Sequence, residues 1–148
     1  MAHDGTMALG VKRTGTKVKR KAYKRTRNRA RRHFEKWTYL LGLGWWDVEV
    51  HWYDSGKAFR KASGATGRNV AMRINADWRY AAATIHVNVP ALAGLSDEEL
   101  ERGVVHELCH ALVNEMREQG IDHEERVVTM LSKAFMWVRS LRNAPDTE

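Results

Sequence analysis

Apolar residues recur along this chain with two periods, and the switch between them divides it into elements. From Arg20 onward, Tyr23, Ala30, Phe34, Trp37 and Leu41 fall at helical spacing, with Arg27 filling the one gap. This predicts a first helix that ends at Gly42 or Gly44. Over residues 45–53 the period drops to two, setting Trp46, Val48, Val50 and Trp52 against Asp47, Glu49 and His51, the pattern of a half-buried strand. The same alternation predicts strands at 69–75, through Val70, Met72 and Ile74, and at 83–89, through Ile85, Val87 and Val89, where Pro90 stops the run. Between the first two strands, Gly56, Ser63, Gly64 and Gly67 mark residues 54–67 as a loop.

Helical spacing returns after Pro90. Ser96 is placed to cap a helix, Glu99 three residues on completes a capping box, and Leu100, Val104, Leu108, Ala111 and Leu112 form the apolar stripe. That helix is expected to reach about Glu118 and to end at Gly120. Asp122 then caps a last helix to about Arg142, with Val127, Val128, Leu131, Ala134, Phe135, Val138 and Leu141 on its apolar side. The order is helix, three strands, helix, helix, with no internal repeat. At 148 residues, 43% of them hydrophobic, the chain has room for one α+β core.

Charge changes this picture at one end. The net charge is +7, yet residues 12–32 hold twelve Lys or Arg and no acid, whereas residues 33–148 hold 13 basic and 17 acidic residues. The basic charge is thus gathered ahead of a mildly acidic stretch, residues 33–148; the domain is read as residues 20–148, behind a basic arm, residues 1–19, whose Gly10, Gly15 and aperiodic Thr and Lys predict disorder. Such an arm reads as a surface for polyanions, nucleic acid or an acidic partner, with Lys17, Lys19, Arg27, Arg29 and Arg31 as the candidate phosphate contacts; a solvated leader is the competing reading. No run of eighteen apolar residues exists, and no apolar region follows the N-terminal basic residues. Neither a membrane span nor a secretory leader is expected. The single cysteine, Cys109, cannot form an internal disulfide, which fits a reducing, cytoplasmic setting; it reads as a small buried core residue.

The candidate chemistry lies in the capped helix, at His106-Glu107-Leu108-Cys109-His110. Four residues make slightly more than one helical turn, so the two imidazoles stack on one face and can clamp a metal, while Glu107 sits beside the first ligand where its carboxylate can act on water without binding the ion. This is a zinc hydrolase signature, HExxH. The competing account is an amphipathic helix with two buried histidines, which leaves several ring nitrogens to be satisfied in another way. A catalytic zinc site needs three protein ligands and one open position. The downstream cluster His123-Glu124-Glu125 offers the third. Glu125 could instead complete a capping box with Asp122, Glu124 lies nearer the apolar stripe, and His123 would make an all-imidazole site.

His106-Glu107-x-x-His110 followed by a helix that begins with Glu resembles the gluzincins, the thermolysin-like zinc peptidases, in a minimal form such as phage and prophage genomes encode. In that family the ligand Glu is followed by a polar residue at the fourth position and a small one at the seventh. Thr129 and Ser132 stand in those places after Glu125, so the resemblance implies Glu125 as third ligand, with Glu124 and His123 as alternates; Thr129 departs from the usual acidic or amide residue. It further implies a zincin-like fold, bound Zn2+, hydrolysis of a protein or peptide substrate with Glu107 as general base, and an edge strand, residues 83–89, to which the substrate adds. A phage-encoded chain would work in the cytoplasm of a bacterial host. Tyr80, His86 and Arg126 are the candidate oxyanion donors. The chain also resembles the SprT-like proteases, which act on proteins attached to DNA and take a third His, here His123, although the residues after it depart from their pattern. A reading of another class is a nucleic-acid-binding or virion-associated protein with a structural or inert zinc site.

Overall fold

A computed structural model describes residues 12–67 and 69–142, with side chains described from Thr16. The first eleven residues of the basic arm, together with residues 143–148, lie outside the described residues. Among those described, the fold is α+β, with six α-helices and a three-stranded mixed sheet.

The first helix, α1, spans Lys12–Leu40. Residues 12–19 are therefore helical, contrary to the disorder their composition suggests. Lys and Arg are good helix formers, and once the helix is anchored at Thr26, Ala30, Phe34 and Trp37, all buried, extending it costs no new nucleus. Strand β1, Asp47–Tyr53, follows. The expected loop then contains a two-turn helix, α2, Gly56–Ser63. Its loop-like residues prove to be its ends: Ser55 accepts a hydrogen bond from the Ala58 amide, and Gly64 closes it in the left-handed region at φ 69°. Phe59, fully buried, pins α2 to the body.

Strand β2, Met72–Asp77, runs three residues later than its alternation suggests at the start. A one-turn 3-10 helix, Trp78–Tyr80, leads into β3, Ala82–Asn88, and Pro90 lies in a single turn, α3, Val89–Leu92. The capped helix, α4, spans Asp97–Leu112, and both halves of its capping box form: the Ser96 hydroxyl accepts from the Glu99 amide at 3.2 Å, and the Glu99 carboxylate accepts from the Ser96 amide at 2.8 Å. It stops six residues before the expected end. Val113 leaves helical geometry at ψ 13°, and a separate turn, α5, Asn114–Glu118, carries the chain to Gly120 at φ 63°. The last helix, α6, is Glu124–Arg142. Asp122 is not its cap; His123, at φ 73°, turns the chain into it instead.

The sheet order is β1-β3-β2, with β1 and β3 parallel and β2 antiparallel to β3. Strand β3 is thus the central strand and not the edge expected of residues 83–89; the edge beside α4 is β2. Met72, Ile74, Ala83, Ile85 and Val87 form the buried face of the sheet. Phe34 and Trp37 of α1, with Val104, Val105 and Leu108 of α4, belong to the same core. Helix α6 packs on α4 through Val128 and Ser132, with Leu131 and Phe135 half-buried, but Ala134, Val138 and Leu141 of its expected stripe are exposed. Cys109 is fully buried, and burial pushes its thiol up to about 11, which makes it a core residue without nucleophilic character at neutral pH. No helix among the described residues is long and apolar enough to cross a membrane.

Candidate metal centre

Helix α4 fixes the first half of the site. Its stripe of Leu100, Val104, Leu108 and Ala111 faces the core, which turns His106 and His110 together toward the start of α6. Their ring centroids are 5.0 Å apart at 78°. The αL turn at His123 brings the first turn of α6 over them. Glu125 reaches back with one carboxylate oxygen 3.5 Å from His106 Nε2 and the other 3.0 Å from His110 Nε2. A donor atom from each of these three residues lies within 4.8 Å of the others. In a tetrahedral ion with bonds of about 2.0–2.1 Å, ligand atoms stand about 3.4 Å apart, so the spacing suits such an ion.

Of the three residues at 123–125, each has a separate place. Glu125 joins the two histidines. Glu124 takes the outer side of His110, accepting from Nδ1 at 2.9 Å, and is itself held by Arg117 Nε at 2.9 Å. Burial raises the Glu124 carboxyl, but Arg117 and His110 outweigh it and hold the group below its ordinary value. His123 is exposed and is not among the converging donors. Thr129 does not orient a ligand through any contact described; that part falls to Glu124.

The donor set is of a kind that could hold a metal ion. His110 has a carboxylate on each ring nitrogen, and a neutral imidazole can donate through only one. With Nδ1–H directed to Glu124, the Nε2 lone pair and the Glu125 oxygen face each other across 3.0 Å. They require either a second proton or a metal between them. Burial, then the neighbouring His110, lower the His106 pKa, and Glu125 opposes them, so the neutral, ligating form of His106 is favoured.

Glu107 lies on the β2 side of the same cleft, lined by Met72, Arg73, Ile74, Arg117 and the three converging residues. Burial raises its carboxyl above the ordinary range; His110, the Ile74 backbone N–H and Arg117 pull it back, and Glu125 adds to the rise. A carboxylate whose proton affinity is raised is better matched to general-base work near neutrality. Because the Ile74 N–H is directed at Glu107, the free edge of β2 faces the site.

The three oxyanion candidates are not brought to this cleft. Tyr80 is exposed beyond the far end of β2, and Arg126 is exposed on α6. His86 is buried on the opposite sheet face, where its Nδ1 hydrogen-bonds the Tyr53 hydroxyl at 2.9 Å. Arg73 and Arg117 line the cleft instead. Arg117 stands seven residues after His110, a helical repeat that would have marked it; Arg73, on a strand, carries no such signal.

The basic residues also separate. Arg27 pairs with Asp54, and Arg29 with Asp97 at 3.1 Å and the Leu95 carbonyl, so both make contacts within the fold. Arg31 is exposed with its guanidinium 6.0 Å from the Trp52 ring centre. Lys17 and Lys19 project from α1. No family model, curated protein or solved structure matches the chain.

Proposed function

We propose that this chain is a zinc-dependent peptide-bond hydrolase of zincin type, with His106, His110 and Glu125 as the metal ligands and Glu107 as the general base. The observation that carries the reading is the convergence of two imidazole nitrogens and one carboxylate beside a fourth, raised carboxylate, under the free edge of a strand. Bound zinc supplies Lewis acidity toward the scissile carbonyl and the attacking water. Glu107 takes the proton of that water and delivers it to the leaving amine. An extended peptide adds to β2 by main-chain hydrogen bonds, which places its carbonyls along the cleft. Glu124 fixes the His110 ring with Nε2 toward the ion. Among the described residues, three and not four side chains converge, which favours an open, catalytic site over a closed structural one.

Elemental analysis paired with hydrolysis of a broad peptide library tests this. Wild type and Glu107→Gln should each hold one zinc per chain, and the variant should lose activity by several orders of magnitude. Protein that takes up no zinc, or a variant as active as wild type, overturns the proposal.

A further inference from the structure

The side of α1 turned away from the core carries Lys17, Arg20, Lys21, Lys24, Arg25, Arg31 and Arg32, all exposed. Counted from Lys17 they fall at i, i+3, i+4, i+7, i+8, i+14 and i+15, which is one face of a single straight helix. Exposed Asn28 fills the gap in the row, and no acid interrupts it. Thr26, Ala30, Phe34 and Trp37 occupy the opposite face and are buried. Exposed Glu35, one turn past Arg31 on the same face, ends the row, and the acids on its flanks are engaged: Asp54 by Arg27, and Asp97 by Arg29 and His33. Among the described residues none of the seven side chains of the row makes an ion pair, and the row runs about 22 Å at 1.5 Å per residue.

We infer that this face of α1 is a docking surface for duplex DNA, read through its phosphates. Over about 22 Å a duplex presents about thirteen phosphate charges, one per 1.7 Å, and its major groove admits a helix. Charge complementarity is accompanied by the absence of what other polyanions need. Single strands are held by successive bases stacking on aromatic rings, and the row itself contributes none; Trp52 beside Arg31 is half-buried, and Tyr23 is on the opposite side and half-buried. A membrane-surface helix needs an apolar face for the lipid, and here that face is buried in the protein's own core from Thr26 onward. The major groove of duplex RNA is too deep and narrow for a helix to enter.

This surface does not depend on the metal reading. Arg29 meets Asp97 while Lys36 and Trp37 meet Glu101, so α1 and α4 run in the same sense. Residues 16–25 therefore extend past the N-terminal end of α4, whereas His106 and His110 are in its C-terminal half. A DNA-bound chain would keep its cleft free.

The test is fluorescence anisotropy of the full chain with a labelled 20-base-pair duplex across a salt series. The triple variant K17E/R20E/K24E is compared with K57E/K61E/K133E, which makes the same change in net charge at exposed lysines of α2 and α6, and K17Q/R20Q/K24Q guards against a folding effect of charge reversal. Wild type should bind at 50 mM salt and weaken steeply by 200 mM. Both row variants should lose at least about tenfold in affinity, and their salt slope should flatten by about 2 to 3. The control should change less than about threefold, with zinc content unchanged throughout. Equal losses in row and control variants would overturn the inference. So would an absence of binding at low salt, or tighter binding to duplex RNA or anionic phosphatidylserine vesicles than to the DNA.

Discussion

At the scale of single residues the cleft separates three neighbours that spacing alone does not rank, although the resemblance to the gluzincins singles out Glu125. That His106, Glu107 and His110 line one cleft is legible because it depends only on helical periodicity. His123, Glu124 and Glu125 stand about 100° apart around a helix start, and which one faces the histidines depends on the turn at His123, where φ is 73°. A positive φ at a non-glycine residue has no reliable mark in the sequence. The assignment yields a graded prediction for metal affinity, measured by competition with a chromophoric chelator. Glu125→Gln should lose most of it, and Glu124→Gln, which leaves the ligands in place but loosens the His110 ring, should lose about 10- to 100-fold. His123→Gly should leave it unchanged. The same glycine relieves the left-handed strain while loosening the unfolded chain, so its stability should stay within about 1 kcal/mol of wild type. A His123→Gly protein that loses its zinc would return His123 to the ligand set.

At the scale of elements, strong local signals succeed where the residues themselves make the structure. Ser96 and Glu99 announce α4, and both of their bonds form. Ser96→Ala should therefore cost about 1 kcal/mol in a denaturant titration. Glycine and serine mislead where they end an element instead of separating two. Gly64 is the left-handed terminus of α2, and replacing it with Ala, at φ 69°, should cost about 1 kcal/mol in the same titration. The extent of α1 is hidden for another reason. Residues 12–19 have no apolar pattern, and their helicity follows from the anchored turns that come after them. The end of α4 is the converse case: Leu112 continues the apolar pattern, but it is 40% exposed, and the regular helix stops there.

At the scale of the whole molecule, strand order is the least legible feature, since alternation is the same in a central and an edge strand. Strand β3 buries His86 and Asn88 as well as Ile85 and Val87, and those polar residues make a central strand look like an outer one. What joins the layers is also polar. Glu101, 4% exposed, accepts from Trp37 Nε1 at 2.8 Å and Lys36 Nζ at 3.0 Å, and meets Arg139 at 3.3 Å and His33 at 3.9 Å. One carboxylate thus ties α1, α4 and α6 together. Burial raises its pKa, but the Trp37 and Lys36 hydrogen bonds with the Lys36 and Arg139 charges more than offset that, and the group titrates below its ordinary value of 4.5. The sign follows from linkage: a carboxyl whose folded pKa is depressed contributes stability that is fully present above the unfolded pKa and is lost as pH falls through the folded one. Glu101→Gln, which keeps an acceptor for Trp37 but removes the charge facing Lys36 and Arg139, should cost about 2 kcal/mol at pH 7. The difference from wild type should shrink as pH falls below 4.5 and through the depressed folded pKa, where the wild-type carboxyl itself becomes protonated. Thermal melts of both proteins from pH 7 to pH 3 check this, and a gap in stability that stays constant with pH would show that the charge on Glu101 does not hold the three helices together.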